Sequence, residues 1–498
     1  MTIVESPAGA FKGLALDGLI LFAGIGFAQP PVGPLRFEPP QPVAAHEGVL
    51  DATVVGRDPI QASVAMDLGA AATTPRPETG EDCLYLNVWT PDLSGSKPVL
   101  VFLFGGGFEG GSASPPLFPG DRLAKSLDCV VVSVAYRLGA LGWLHVPSVP
   151  GGRPDQANLG LQDQAAGLRW VRDNISAFGG DPQRVTLSGS SAGAFSTGTL
   201  LTFPGAVGTF QRAILASGTA QRAYPAETAA ELARDLMQAA GVTSLDELRL
   251  LDADAILQAQ HAVTNSDVGY RNLAGGRAWG MVLDGHVLAR HPHDRVRDGE
   301  ARDITLLVGT THDEVNMWAQ TQPDTFAPAS LDALRGEMHR AGMADPDSLL
   351  AAYRTALVVD GTEPSLADVR SAWLSDCIWR GPALRLATAQ RNAGGQAYAY
   401  EFTDAPMGAA LGACHGADVL YVFDALAAFG VTDPAADAVR DELVAAWRGL
   451  VHDGDPGFAP AAASGDADSQ GWRCLTRPDA TFGRRGSIRP VPAELLGD

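Results

Sequence analysis

Lysine is nearly absent from this chain of 498 residues: it occurs only at positions 12, 97 and 125, with no basic run around any of them. The formal net charge is −21. Nucleic-acid binding needs clustered Lys and Arg, whose contacts with phosphates release counterions. The sequence therefore predicts no nucleic-acid partner, and an acidic surface of this kind mainly keeps a protein in solution.

Long apolar runs are also missing. No run approaches the ~18 residues that span a bilayer, and the first nine residues contain neither a basic nor an apolar segment of the kind that directs export. These absences predict no membrane partner and a cytoplasmic location. With 46% hydrophobic and 19% charged residues, the composition is that of a folded protein.

Cysteine is scarce, and its five copies are scattered and without C-x-x-C spacing. This pattern predicts reduced thiols rather than a disulfide framework or a zinc site. The stretch His291-Pro292-His293-Asp294 has metal-like spacing, but it lacks a third partner and is expected to form a surface loop. We therefore predict neither a metal nor a cofactor.

Short apolar runs alternate with helical patterns, which predicts an α/β fold with a mostly parallel central sheet flanked by helices. Continuous apolar strands of this kind are buried on both faces. The strand candidates are residues 99–104, 129–135, 184–188, 212–215, 304–308 and 396–402.

Two alanine-rich segments, at about 225–260 and 328–389, interrupt the strand series and are helical in pattern. No Pro/Gly/Ser linker or charge run isolates them, so they are expected to be helical insertions over the active site rather than separate domains. Residues 1–498 are thus predicted to form a single domain.

Ser191 lies in the sequence Gly189-Ser190-Ser191-Ala192-Gly193, after a strand candidate and before a small-residue stretch that can start a helix. A G-x-S-x-G at such a junction is typical of a nucleophile elbow, in which a Cβ on either flanking glycine would collide with its neighbours. The alternative is an ordinary turn between a strand and a helix. The first interpretation makes Ser191 the candidate nucleophile of a serine hydrolase.

Three successive glycines, 105–107, follow another strand candidate and could aim backbone amides at a developing negative charge. The N–H groups of Gly106 and Gly107, together with that of Ala192, form the predicted oxyanion hole. The alternative is a flexible glycine loop at a strand end.

Candidates for the acid and the base lie after later strands, in the chain order nucleophile, acid, base that this fold class uses. Asp313 and Glu314 follow the strand candidate 304–308, and His415 follows the strand candidate 396–402. Adjacency in sequence leaves Asp313 and Glu314 as alternatives. His312 is set aside as the base because one loop cannot easily supply both base and orienting carboxylate to the same serine.

Several longer motifs resemble the type-B carboxylesterase family, which includes bacterial para-nitrobenzyl esterases and the cholinesterases. Matching segments run from about residue 22 to residue 456. The motifs are residues 27–37, 81–89 and 178–182 together with the loops around positions 312 and 415.

The resemblance implies an α/β-hydrolase fold, with Ser191 as nucleophile, His415 as general base and then acid, and Glu314 as the orienting carboxylate. It also implies two buried structural ion pairs, Arg36 with Glu81 and Arg137 with Asp163.

Four residues depart from the family pattern: Ser190 stands where glutamate is usual, Phe104 where histidine is usual, Val315 in place of a glycine, and Asp418 in place of a glutamate. A missing carboxylate beside the elbow removes a negative charge near the imidazole and near any cationic ligand. These departures bear on substrate range and on the setting of His415.

The loop 61–82 also departs from the family pattern. Cys83 matches one member of the family disulfide, but its partner would fall near Pro59 or Ile60, where there is no cysteine. The loop is therefore expected to be untethered and more mobile. It also contains no Phe, Trp or Tyr, so choline esters, which such loops hold by cation–π contact, are not expected as preferred substrates.

Phe104, Phe108, Ser190 and Phe195 surround the predicted site and are candidates for an apolar substrate pocket. Core packing is the alternative role of the aromatic residues. We predict a serine carboxylesterase that hydrolyses uncharged carboxylic esters, small-molecule substrates, through an acyl-enzyme, as a monomer or weak homo-oligomer. An amidase or carbamate hydrolase with the same triad, or a non-catalytic binding module on the same fold, are the alternatives.

Overall fold

The computed structural model describes residues 2–62, 77–114, 119–273, 276–358, 361–462, 472–476 and 495. Most of the loop 61–82, which is expected to be untethered, lies outside these described residues.

A large sheet of apolar strands organises the described residues. Its strand order is β1-β2-β3-β5-β7-β6-β8-β9-β12-β13-β14, with β4 beside β2, while β10 and β11 form a separate pair. The strands are β1 (Thr2–Ser6), β2 (Gly9–Leu16), β3 (Leu19–Gly26), β4 (Val49–Asp51), β5 (Tyr85–Thr90), β6 (Lys97–Leu103), β7 (Val130–Val134), β8 (Gly180–Ser190), β9 (Arg212–Ala216), β10 (Tyr224–Pro225), β11 (Val282–Leu283), β12 (Thr305–Thr311), β13 (Ala397–Phe402) and β14 (Trp472–Leu475).

The strands from β7 to β14 along this order are parallel, and β1, β2, β3 and β5 join them in antiparallel fashion. Every residue of β5, β7 and β13 is buried, as expected of strands covered on both faces. The prediction of a mostly parallel sheet is confirmed. Because parallel strands share one carboxyl edge, the loops after β6, β8, β12 and β13 open on the same side.

Helices connect the strands and fill both alanine-rich segments, 225–260 and 328–389. The α-helices are α1 (Gly120–Leu127), α2 (Gly139–Trp143), α3 (Leu159–Asn174), α4 (Ala192–Leu200), α5 (Ala226–Ala240), α6 (Leu245–Leu250), α7 (Ala253–Val263), α8 (Val268–Asn272), α9 (Pro292–Arg297), α10 (Asn316–Thr321), α11 (Pro323–Phe326), α12 (Leu331–Arg340), α13 (Pro346–Ala356), α14 (Leu366–Ser375), α15 (Gly381–Asn392), α16 (Ala417–Val422) and α17 (Pro434–Asp453). A π-helical turn, Asp376–Arg380, links α14 to α15. None of the described helices is both long enough and apolar enough to cross a membrane.

Short 3-10 helices complete the connections. They are Gly33–Leu35, Val146–Ser148, Pro154–Gln156, Ile175–Phe178, Pro204–Ala206 and Leu426–Phe429.

Both predicted structural ion pairs are present. The Arg137 guanidinium donates two hydrogen bonds, of 2.8 and 2.7 Å, to the buried carboxylate of Asp163. Arg36 donates in the same way to Glu81, at 2.6 and 2.5 Å. The Arg137–Asp163 pair is buried, so removing one partner alone would leave an uncompensated buried charge, whereas the Arg36–Glu81 pair is only partly buried.

The stretch around His291 is not the surface loop that its sequence predicts. Pro292 is the first residue of α9, and His291 caps this helix because its Nδ1 accepts a hydrogen bond of 3.3 Å from the backbone N–H of His293. A proline at the first helical position is already fixed at a helical φ and loses no hydrogen bond there. Burial lowers the pKa of His293 to about 4.

All five cysteines are free. Cys83 lines a small cavity together with Pro59 and Ile60, which is where the family disulfide would lie. Burial raises the pKa of the Cys83 thiol, so it is protonated and unreactive at neutral pH.

Candidate active site

Ser191 occupies the turn between β8 and α4 with a backbone that few residues other than glycine adopt. Its φ is 54° and its ψ is −119°. The Ser191 N–H donates a hydrogen bond of 2.9 Å to the carbonyl of Ala216, at the end of β9. Strained backbone of this kind persists only where the surrounding structure holds it, and it is the geometry of a nucleophile elbow.

The glycines on either side of Ser191 have no room for a side chain, as their sequence context predicts. A Cβ on Gly189 would lie 2.3 Å from the backbone of Gly193, on the first turn of α4. A Cβ on Gly193 would lie 2.0 Å from the carbonyl oxygen of Leu103, the last residue of β6. The elbow is thus wedged between its own helix and the neighbouring strand.

The glycine loop after β6 lies directly against this elbow. A Cβ on Gly105 would approach the Cβ of Ser191 to 2.9 Å, and Gly106 and Gly107 have φ angles of 121° and 64°. In the part of the chain that the structure describes, the N–H groups of Gly106 and Gly107 donate no hydrogen bond. Ala192 is the first residue of α4, where N–H groups have no helical carbonyl to bind. The loop and the helix therefore present backbone donors beside Ser191.

Gly106→Ala is expected to lower kcat/KM by about 10²–10³, the cost of losing an oxyanion-hole donor. The added Cβ would lie 2.1 Å from the carbonyl oxygen of Gly110, so the loop must move. Gly208→Ala is the matched control, because Gly208 also has a positive φ, of 76°, but open space around it. Hydrolysis of para-nitrophenyl acetate and the melting temperature of both variants check the prediction. Equal losses of activity in the two variants would contradict it.

His415 and Glu314 form a buried pair. His415 Nδ1 and Glu314 Oε2 are 2.5 Å apart, and Glu314 Oε1 accepts a hydrogen bond of 2.9 Å from the backbone N–H of Thr311. Glu314 is fully buried, whereas the Asp313 carboxylate turns to the backbone N–H of Ala413, at 3.1 Å. Of the two adjacent carboxylates, Glu314 is therefore the one placed on the imidazole.

The other imidazole nitrogen, His415 Nε2, is buried and has no hydrogen-bond partner within the described residues. No hydrogen bond joins it to Ser191 in this structure. Catalytic hydrogen bonds are often long without substrate and tighten when substrate binds. The nitrogen is left available to take a proton.

Two tryptophans that the sequence analysis missed hold the ring of His415. The Trp318 and Trp379 rings lie 5.4 and 5.1 Å from the imidazole, centroid to centroid. Trp318 is on α10, four residues after Glu314, and this proximity could have marked it as a site residue. Trp379 comes from the π-helical turn of the second helical segment, and no local sequence pattern points to it. That segment therefore reaches the site.

Asp418 adds a second buried carboxyl group behind this pair. Its Oδ2 accepts a hydrogen bond of 2.7 Å from the Tyr400 hydroxyl. Burial raises the pKa of Asp418 to about 6, and the negative charge of Glu314 acts in the same direction. Below that pH Asp418 is mostly neutral.

His312 is engaged elsewhere. Its Nδ1 lies 2.7 Å from Glu401 Oε1, and Arg380 lies on the same carboxylate. Burial would raise the pKa of Glu401, but the charge of Arg380 and the hydrogen bond from His312 lower it to about 2. This ionic cluster agrees with setting His312 aside as the base.

The aromatic pocket candidates separate in the structure. Phe104 is fully buried and stacks on Tyr136 at 4.4 Å, so its ring has the core-packing role that was the alternative. Phe108 and Phe195 are buried as well, but the guanidinium of Arg222 lies over both rings. Ser190 is buried next to Ser191.

Among the described residues, no group of three or more His, Cys, Asp or Glu side chains could hold a metal ion.

Comparisons with known proteins identify the proteins that this chain resembles. The model of the carboxylesterase family matches residues 1–481. A para-nitrobenzyl esterase of Bacillus subtilis (strain 168) is 40% identical over 334 residues, which are 66% of this chain and 66% of that protein. A phenmedipham hydrolase of Pseudarthrobacter oxydans is 33% identical over 475 residues, which are 91% of this chain and 90% of that protein.

Solved structures give the same result. The crystal structure of a carboxylesterase from Geobacillus stearothermophilus superimposes with a TM-score of 0.83 and 32% sequence identity. The superposition covers 97% of this chain and 99% of that chain.

Proposed function

Because the chain belongs to the carboxylesterase family, has its α/β-hydrolase fold and is a carboxylic ester hydrolase, we propose that Ser191, His415 and Glu314 are its catalytic triad. The observation that carries the proposal is the pairing of His415 with the buried carboxylate of Glu314, at the sheet edge where Ser191 occupies a strained elbow.

Acylation starts at the free nitrogen of the imidazole. His415 Nε2 takes the proton of the Ser191 hydroxyl as Oγ attacks the ester carbonyl. The carbonyl oxygen becomes negative and accepts hydrogen bonds from the N–H groups of Gly106, Gly107 and Ala192. The C–O bond to the alcohol then breaks, and His415 returns the proton to the departing alcohol oxygen.

Deacylation repeats these steps with water as the nucleophile. His415 takes a proton from water, the hydroxide attacks the acyl carbonyl, and Ser191 leaves with the proton. In both halves Glu314 fixes the Nδ1–H tautomer and stabilises the imidazolium. Side chains, backbone amides and water supply every group in this sequence, so the proposal uses no cofactor.

The proposed substrates are small, uncharged carboxylic esters, and a matched set of acyl compounds tests the reaction class. We expect turnover of para-nitrophenyl butyrate and much lower kcat/KM for the corresponding anilide and for para-nitrophenyl N-ethylcarbamate, which has the same chain length. The amide needs a poor leaving group to be protonated, and the carbamate carbonyl is less electrophilic. A carbamate or anilide kcat/KM at or above that of the ester would overturn the assignment.

We also propose that residues 1–498 work as one cytoplasmic domain, as a monomer or weak homo-oligomer. Five free cysteines, three of them buried, fit a reducing compartment.

A further inference from the structure

Arg222 lies in the turn between β9 and β10, with its guanidinium over three aromatic rings. The Cζ atom is 5.2 Å from the centroid of Phe108, 5.3 Å from that of Phe195 and 5.8 Å from that of Tyr224. Cations are attracted to the faces of aromatic rings at such distances. The rings therefore hold the charged group in place without neutralising it.

The charge of Arg222 has no counter-ion among the residues that the structure describes. Its Nε donates a hydrogen bond of 3.1 Å to the neutral Tyr224 hydroxyl, and its Nη2 is buried without a hydrogen-bond partner. Nearby, Arg271 is paired with Glu109 at 2.6 Å. In a chain of net charge −21, carboxylates are plentiful, so a guanidinium left without one has a donor available for another group.

Two of these rings belong to residues beside the reacting atoms. Phe108 directly follows the glycine loop, and the backbone N–H of Phe195 donates a hydrogen bond of 2.9 Å to the carbonyl of Ser191. The segment leading to Arg222 also touches the elbow, because a Cβ on Gly218 would lie 2.8 Å from the same carbonyl oxygen.

Arg222 contacts the glycine-loop side of the site, whereas His415 packs against Trp318 and Trp379. In the proposed mechanism the alcohol takes its proton from His415, so it leaves on the side of the imidazole. An acyl chain that extends away from that side runs toward the glycine loop, where Arg222 lies over the ring of Phe108. In this arrangement Arg222 faces the acyl chain rather than the alcohol.

We propose that Arg222 recognises a carboxylate on the acyl part of the substrate. The enzyme then accepts half-esters of dicarboxylic acids in addition to uncharged esters: water adds to the ester carbonyl, the alcohol leaves, and the free dicarboxylate is the product. Hydrogen bonds between guanidinium and carboxylate are among the strong ones, and they are stronger where water is displaced. The inference rests on the proposed function, because it uses the position of Ser191 and His415.

The test compares two esters of similar shape. One is monoethyl glutarate, and the other is the ethyl ester in which an isopropyl group replaces its free carboxylate. Release of ethanol, followed with alcohol dehydrogenase, gives kcat/KM for both. Arg222→Met is expected to lower kcat/KM for the charged ester, relative to kcat/KM for the uncharged ester, by about 10- to 100-fold. Arg222→Lys should lower this ratio by less, because the ammonium keeps the charge but loses the planar arrangement of donors.

Arg234→Met is the matched control, since it removes one positive charge from an exposed position on α5 and should leave the ratio unchanged. If Arg222→Met slows both esters equally, the residue only packs the rings and the inference is wrong. It is also wrong if the ratio of the two kcat/KM values does not change. A third contradicting result uses a second pair of substrates, ethyl acetate and the acetyl ester of glycolate, in which the carboxylate is on the alcohol side. If Arg222→Met changes the kcat/KM ratio of that pair instead, Arg222 does not recognise the acyl part.

Glutarate binding to the Ser191→Ala protein, measured by calorimetry, separates this inference from the proposed function. Weaker binding after adding Arg222→Met supports the carboxylate site whether or not Ser191 is the nucleophile. Unchanged binding overturns the site even if the esterase mechanism holds.

Discussion

Ser191→Ala is expected to lower kcat for a short-chain aryl ester by about 10⁶, as removal of the nucleophile does in other serine triads. The expectation follows from the elbow, where Ser191 has a φ of 54° and its side chain lies next to the glycine loop. The residual rate would come from the oxyanion hole and substrate binding alone. Stopped-flow and steady-state assays with para-nitrophenyl butyrate measure the change.

Ser190→Ala is the matched control for this experiment. The two serines are neighbours in sequence, but Ser190 ends β8 in regular extended backbone and only Ser191 is on the strained turn. A fluorophosphonate probe should label the wild type and Ser190→Ala, and should fail to label Ser191→Ala. A Ser191→Ala enzyme that keeps about 1% or more of the wild-type kcat would place the nucleophile elsewhere.

Glu314→Gln is expected to lower kcat by about 10⁴, close to the effect of the equivalent change in another serine triad. A glutamine keeps the size of the side chain, but its amide can donate to Nδ1 and thereby favour the tautomer with the proton on Nε2. That nitrogen could then no longer take the proton of Ser191. The pH dependence of kcat/KM and the rate of fluorophosphonate labelling both report the loss.

Asp313→Asn provides the comparison, because Asp313 is adjacent and acidic but bonds the backbone N–H of Ala413 instead of the imidazole. Its kcat should stay within about tenfold of wild type, since no proton transfer depends on it. If Asp313→Asn proved the more damaging of the two changes, the orienting carboxylate would have been assigned to the wrong residue.

Short-range features of the site follow well from the sequence. The glycines at 189 and 193 have local reasons to be glycine, because a Cβ would strike atoms of the next turn or the next strand. The parallel sheet is equally local, since runs such as 130–134, four valines and one serine, are largely apolar and are buried throughout. Strand ends are less exact. β8 begins at Gly180, before the predicted start at 184, because residues 181–183 are polar or proline, are partly buried or exposed, and carry no apolar signal.

Contacts between distant segments do not follow from local sequence patterns. Adjacency left Asp313 and Glu314 as alternatives, the family resemblance implied Glu314, and the turn after β12 brings the Glu314 side chain to His415. The same holds for Trp379, which is brought to the imidazole by the packing of a π-helical turn. The cation over the aromatic rings is a further case, because Arg222 has no distinctive neighbours in sequence.

The steric crowding around Ser191 has a genetic consequence. Apart from silent third-base changes, every single-base change in a glycine codon gives a residue that carries a Cβ, or a stop codon. At positions 105, 106, 189 and 193 each of these residues would place that carbon within 3 Å of a neighbouring atom. The reacting centre is therefore closed to gradual variation, whereas the partly buried position of Arg222 is not subject to this glycine constraint. New substrate preferences in descendants of this gene should arise at that position, around a centre that stays fixed.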